Sequence, residues 1–134
     1  MRDFEFLKQT TKRTAKFTIP SPSMLHLRAG RKGIAYDDME EFWADAAAAY
    51  RAAIAEFAKA GCTYLQLDDV SFSCLCDPDI RDQVARDGED PAALPAKYAQ
   101  VVNSLLAGRP AHQLLRALAM VRSEENTSEL QSPS

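Results

Sequence analysis

Residues 38–60 carry the feature that most limits how this chain can fold. Met39, Phe42, Trp43, Ala46, Tyr50, Ile54 and Phe57 recur at spacings of three and four, which draws one apolar stripe along a helix. Ala47, Ala48, Ala49, Ala52 and Ala53 lie between them and add the highest helix propensity available. Asp37, with Glu40 three residues on, reads as a capping-box-like start, and Gly61 as the C-terminal stop. Directly after the helix, Cys62-Thr-Tyr-Leu-Gln-Leu-Asp-Asp-Val70 alternates, turning Leu65 and Leu67 to one side and Tyr64, Gln66 and Asp68 to the other. Upstream, Lys16-Phe-Thr-Ile19 is a short β-type run halted by Pro20-Ser-Pro-Ser23, since proline removes ladder donors. The unit is therefore β-loop-α-β. Such crossovers build parallel sheets with both faces covered, so Gln66 and Asp68 are expected to line an interior.

The remaining segments are weaker signals. Residues 1–15 are polar and basic and read as a loop or lead-in. Residues 24–36, with Gly30 and Gly33 among basic side chains, read as a loop as well. Residues 71–90 hold a short apolar patch (Phe72, Cys74, Leu75) and then a charged stretch. Pro91-Ala-Ala-Leu-Pro95 opens a second helix through Tyr98, Val101, Val102, Leu105 and Leu106, closed by Gly108-Arg-Pro110. A third strand is due there, but residues 111–121 have helical spacing and no β-branched residue before Val121, so a helix is expected instead. The fold class expected is α/β, a β-α-β-α piece of a larger parallel architecture.

Composition enters mainly by exclusion. A chain of 134 residues, 46% hydrophobic, needs no metal or disulfide merely to fold. A formal net charge of −3 gives no basic footprint for nucleic acid. No apolar run approaches the roughly 20 residues that span a bilayer, and the charged start lacks the core of a secretory signal. Three cysteines, an odd number, argue against a disulfide framework. No nucleic-acid or membrane partner is expected, and a reduced, cytoplasmic setting is.

Asp68 and Asp69, at the end of a presumed parallel strand, are the leading candidates for chemistry, because barrel active sites sit at the C-terminal ends of strands. The alternative is a pair of loop acids capping the next turn. Cys74-Leu-Cys76 suggests a soft metal site, but its spacing is too close for two ligands on one helical face, and plain core or loop thiols fit better. His26 is either a ligand, an acid/base or a loop histidine. Arg28, Arg31 and Lys32 form a basic group that would meet an anionic substrate or simply be solvated.

Four stretches, in order, resemble the stand-alone relatives of the C-terminal catalytic domain of cobalamin-independent methionine synthase. They are Phe17-Thr-Ile-Pro-Ser-Pro-Ser-Met-Leu-His26, Gly61-Cys-Thr-Tyr-Leu-Gln-Leu-Asp-Asp69, Leu75-Cys-Asp-Pro78 and Leu106-Ala-Gly-Arg-Pro110. The resemblance implies a partial (β/α)8 TIM barrel over residues 1–111. It implies a zinc-dependent methyltransferase of methionine biosynthesis, like methyltetrahydropteroyltriglutamate–homocysteine methyltransferase, moving a methyl group from a donor such as methyl-folate to a small-molecule thiol. Asp68 matches the aspartate that holds the amino group of homocysteine, and Asp69 replaces a glutamate. Ser21 and Ser23 fall in the segment that meets the folate, where Pro22 replaces a tryptophan, and His26 lies just beyond. The family's His-x-Cys zinc pair should follow Gly-Arg-Pro, but the chain departs from the pattern near His112, so zinc ligands are expected to be missing. Two readings remain beside this one. Another enzyme on a related barrel, a decarboxylase or a non-folate methyltransferase, is one; a helical interaction module without an active site is the other.

Residues 112–134 are expected to be a non-family tail. Within it, residues 122–134 resemble one reading frame of a sequencing-library adapter and are expected to be disordered. A barrel of this kind takes about 250 residues, so the chain is expected to be poorly stable and inactive by itself.

Overall fold

The computed structural model describes residues 1–106 and 108–119. Helix α1 (Arg2–Thr10) leads into strand β1 (Lys16–Pro20) and helix α2 (Pro22–Gly33), followed by the long helix α3 (Met39–Lys59) and strand β2 (Tyr64–Asp69). Three helices come next, α4 (Ser71–Cys74), α5 (Pro78–Arg86) and α6 (Leu94–Ser104), and then strand β3 (Leu114–Ala119). The strands lie in the order β1-β2-β3, and both pairings are parallel. Phe17, Leu65 and Leu115 stand level, as do Thr18, Gln66 and Arg116.

The long stripe of α3 does what its spacing predicts. Ala47, Ile54 and Phe57 pack with Leu65 and Leu67 of β2, beside Phe17, Ile19 and Leu115 from the flanking strands. The sheet therefore has a helix-covered face made of the odd-numbered positions of β1 and β2. The opposite face presents Lys16, Thr18, Tyr64, Gln66, Asp68 and Arg116, and no helix of the described residues forms an apolar core there. A second core lies beyond the strand ends, where Trp43, Leu75, Val84, Leu94, Tyr98 and Val101 join α3 to α5 and α6.

The structure departs from the sequence reading at both ends and in one connection. Residues 2–10 are helix rather than lead-in, because Phe4 is fully buried against Phe17 and Phe57. Lys8 supports this docking by donating to the Ala60 carbonyl at 2.9 Å, a cation on the end of α3 where the helix dipole favours it. Residues 24–36 are mostly helix too. Pro22, read as the end of a strand, occupies the first turn of α2, where its missing N–H costs nothing. The break comes only at Gly30, whose φ of 65° belongs to the left-handed region. The cap of α3 is Asp38, one residue later than expected, accepting from the Glu40 amide at 2.8 Å.

The largest correction concerns residues 111–121, which were expected to be helical. Leu114–Ala119 is a third parallel strand instead. Its helix-favouring composition is overridden by the free edge of β2: the Leu114 amide donates to the Thr63 carbonyl at 2.8 Å and starts the ladder. Tertiary pairing of this kind commonly outweighs local propensity. The proposed tail at residues 122–134 lies outside the described residues. A strand-free helical module is excluded by the sheet itself.

Candidate functional site

Alternation along β2 separates its two terminal acids. Asp69 follows Leu65 and Leu67 onto the helix-covered face and is buried, whereas Asp68 follows Gln66 onto the open face and is exposed. Gln66 donates to Asp68 at 3.3 Å, which places the two side chains on one side as the alternation predicts. Adjacent residues thus meet opposite surroundings.

Asp69 is the hub of a buried hydrogen-bond network. One carboxylate oxygen accepts from the Ser23 hydroxyl at 2.6 Å, and the other accepts from the Ser71 amide at 2.9 Å and from the Ser71 hydroxyl. Ser23 also lies 3.0 Å from the Ser21 hydroxyl, and Ser21, Ser23 and Ser71 are all buried. No basic side chain pairs with Asp69 among the described residues. The network ties the turn after β1 to the turn after β2, and the Ser21 amide adds a bond to the Asp68 carbonyl at 2.8 Å. Three of the residues expected to meet substrate, Ser21, Ser23 and Asp69, are therefore turned toward one another beneath the strand ends.

His26 is buried in the second core, 5.0 Å from the Trp43 ring centroid. Its Nδ1 lies 2.8 Å from the Tyr98 hydroxyl and its Nε2 lies 3.0 Å from Glu89. Burial raises the Tyr98 pKa well above its ordinary value, and the nearby carboxylates of Glu89 and Asp69 push it the same way. Tyr98 therefore keeps its proton through the neutral range, and the His26 ring bridges Tyr98 and Glu89 through its two nitrogens. The stability consequence appears at alkaline pH. Above about pH 10 the unfolded tyrosine loses its proton while Tyr98 in the fold holds it, so stability falls as pH rises from there. A Tyr98→Phe variant is expected to lose roughly 1 kcal/mol at neutral pH and to show a shallower alkaline decline. Urea titrations at neutral pH and between pH 9 and about 11 check this, and an unchanged alkaline slope would rule it out.

Two adjoining clefts open beside these residues. The smaller, about 400 Å³, lies at the C-terminal ends of β1 and β2 and is lined by Thr18, Ile19, Pro20, Met24, Leu25, Arg28, Asp68 and Val70. The larger, about 550 Å³, runs between α2 and α5, with Leu27, Ile80 and Val84 in its walls and His26 and Glu89 at one side. Met24, Arg28 and Val70 belong to both. The smaller cleft has the stronger claim, since parallel sheets bind ligands at the carboxyl ends of their strands. Sequence reasoning named Asp68 but missed Met24, Leu25 and Val70, which only the helical course of α2 brings to the strand ends.

The cysteines do not converge. Cys62 is buried with its thiol donating to the Tyr64 carbonyl, its pKa raised by burial; Cys74 is half-buried and Cys76 exposed. Among the described residues no three His, Cys, Asp or Glu side chains are grouped to hold a metal ion. No helix among them is long and apolar enough to cross a membrane.

Comparison with known proteins adds to this geometry. The chain is 46% identical over 110 residues to the uncharacterized protein YxjH of Bacillus subtilis, and 35% identical over 112 residues to YxjG of the same organism. Those stretches cover 81% and 82% of this chain but 29% and 30% of the relatives. A solved structure, that of the candidate vitamin-B12-independent methionine synthase of Listeria monocytogenes, is similar with a TM-score of 0.72 at 42% identity. It is matched over 87% of this chain and 35% of its own. The chain thus spans about a third of the length of the proteins it matches. No family model matches it.

Proposed function

We propose that the chain forms part of a methyltransferase of the cobalamin-independent methionine synthase kind, and that the cleft at the strand ends holds the amino-acid end of a thiol substrate such as homocysteine. The observation that carries this reading is the position of Asp68. It stands exposed at the C-terminal edge of a parallel sheet, beside a cleft, in the position that the family resemblance assigns to the amino group of homocysteine. The 42% identity to the Listeria protein supports the same reading. The open face bearing Thr18, Gln66, Asp68 and Arg116 would line the inside of a (β/α) barrel, which accounts for polar side chains on a parallel sheet.

In this reading Asp68 accepts from the substrate ammonium, and Gln66 steadies the carboxylate from its own side. The thiolate then attacks the donor's methyl carbon in line: a sulfur–carbon bond forms, the donor–methyl bond breaks, and its electron pair stays with the donor. The chain's contribution is positioning, which is worth most when the reacting atoms are held in near-attack geometry. A methylated folate is the donor that the resemblance implies, with Ser21 and Ser23 in the corresponding segment. Their burial on Asp69 suits them to shaping that segment. Zinc belongs to the family expectation, but the described residues do not fit a zinc site, and no step here is routed through one.

Methionine formed from L-homocysteine and a labelled methyl donor tests the reading in a full-length protein that carries this segment, since the 134-residue chain alone is expected to be inactive. Labelled methionine is the expected product. Transfer of the label elsewhere, or none under any donor, would rule it out.

A further inference from the structure

The segment from Cys76 to Asp90, which carries α5, is held to the rest of the fold by few bonds. Its backbone hydrogen bonds stay between residues 73 and 93. Arg81 donates to the Leu75 carbonyl at 3.4 Å and to the Pro91 carbonyl at 3.5 Å, which draws the two ends of the segment together at its base. A compact stretch closed in this way is able to move as one body. Beyond residues 72–93, its polar side chains reach two partners among the described residues, and both lie on α2. Asp87 pairs with Lys32 at 2.8 Å, and Glu89 meets His26 Nε2 at 3.0 Å. The turn closes directly onto the kink of α2, where a Cβ added at Gly30 would stand 3.1 Å from the Asp87 carboxylate. Within α5, Val84 alone is buried.

Between this segment and α2 lies the larger cleft, about 550 Å³, with Ile80 and Val84 in one wall and Leu27 in the other. We infer that residues 76–90 form a lid over this cleft, latched to α2 by Asp87 and Glu89, and that release of the latches opens the cleft while the sheet and its core stay folded. The two latches differ in kind. Lys32 is 72% exposed, so its pair with Asp87 is weak and is screened by salt. His26 is buried, so its bond to Glu89 is the stronger one and salt changes it little. Packing of Val84 in the second core draws the lid shut. Met24, Arg28 and Val70 line both clefts, so an open lid joins the two and admits a molecule too large for the strand-end cleft alone.

Three cysteines of unequal exposure report the motion. Cys76 is exposed, Cys74 lines the cleft beneath the lid, and Cys62 is buried in the core under the sheet. The experiment is labelling of the 134-residue protein with a bulky maleimide, each thiol followed separately by mass spectrometry. Cys76 should react first, Cys74 more slowly through lid opening, and Cys62 last, on global unfolding. Glu89→Ala should speed Cys74 about tenfold and Lys32→Ala about threefold, with the Cys62 rate unchanged. High salt should speed Cys74 in wild type about as much as Lys32→Ala does, and add nothing in that variant. Should Glu89→Ala loosen the whole core, faster Cys62 labelling reveals it, and the exposed change Lys32→Ala still decides the matter. Cys74 reacting as fast as Cys76 in wild type would overturn the inference. So would a Cys74 rate that neither variant alters, or Cys74 and Cys62 rising together in Lys32→Ala.

Discussion

Replacing Asp69 by alanine should lower the stability of the fold by roughly 2–4 kcal/mol, because buried donors would be left without their acceptor. The Ser71 amide and hydroxyl both end on Asp69, and so does the Ser23 hydroxyl. Ser23 can turn back to Ser21, which lies 3.0 Å away, but Ser71 has no second acceptor in the network. The turns after β1 and β2 would separate at the point where the ligand edge is built. Asp69→Asn should be milder, since an amide keeps one acceptor oxygen. Urea unfolding of the two variants checks the order. An alanine variant as stable as wild type would show that the network contributes little, and Asp69 would then be free to act on substrate directly.

The neighbouring acid should behave in the opposite way. Asp68→Asn is expected to leave stability within about 0.5 kcal/mol, as for most exposed substitutions, since among the described residues its side chain takes part in one hydrogen bond, the long one from Gln66. Turnover should suffer instead. In a full-length enzyme carrying this segment, losing a charge-assisted bond to an ammonium group costs about 2–3 kcal/mol, near a hundredfold in kcat/KM for methyl transfer to homocysteine. Kinetics and melts on the same preparation separate the two cases. A sharp fall in stability with normal turnover per folded molecule would make Asp68 structural.

The sequence made some of this legible and hid the rest for physical reasons. The stripe of α3 and the alternation of Leu65 and Leu67 are periodic over many residues, and they marked a helix, a strand and the parallel crossover. Alternation also placed Asp68 with Gln66. It equally turns Asp69 the other way, an implication that the pair's shared place at a strand end conceals. Helix α1 was hidden because a single residue, Phe4, carries its burial among polar neighbours. Helix α2 was hidden because Pro22 and Gly30 punctuate a segment that is helical between them. Strand β3 could not be read locally at all, since leucine and alanine favour a helix and only the edge of β2 makes them a strand. The Tyr98–His26–Glu89 chain joins α6, α2 and the loop after α5, a meeting that no spacing in the sequence announces.

The central claim is that Asp68, at the strand-end cleft, holds the amino group of a thiol amino acid. A crystal structure of the protein with L-homocysteine tests it most directly. The expected result is the ligand's nitrogen within hydrogen-bond distance of the Asp68 carboxylate, in the cleft between Pro20 and Val70. Homocysteine seated elsewhere, in the cleft between α2 and α5 or at the opposite edge of the sheet, with Asp68 touching only solvent, would contradict it.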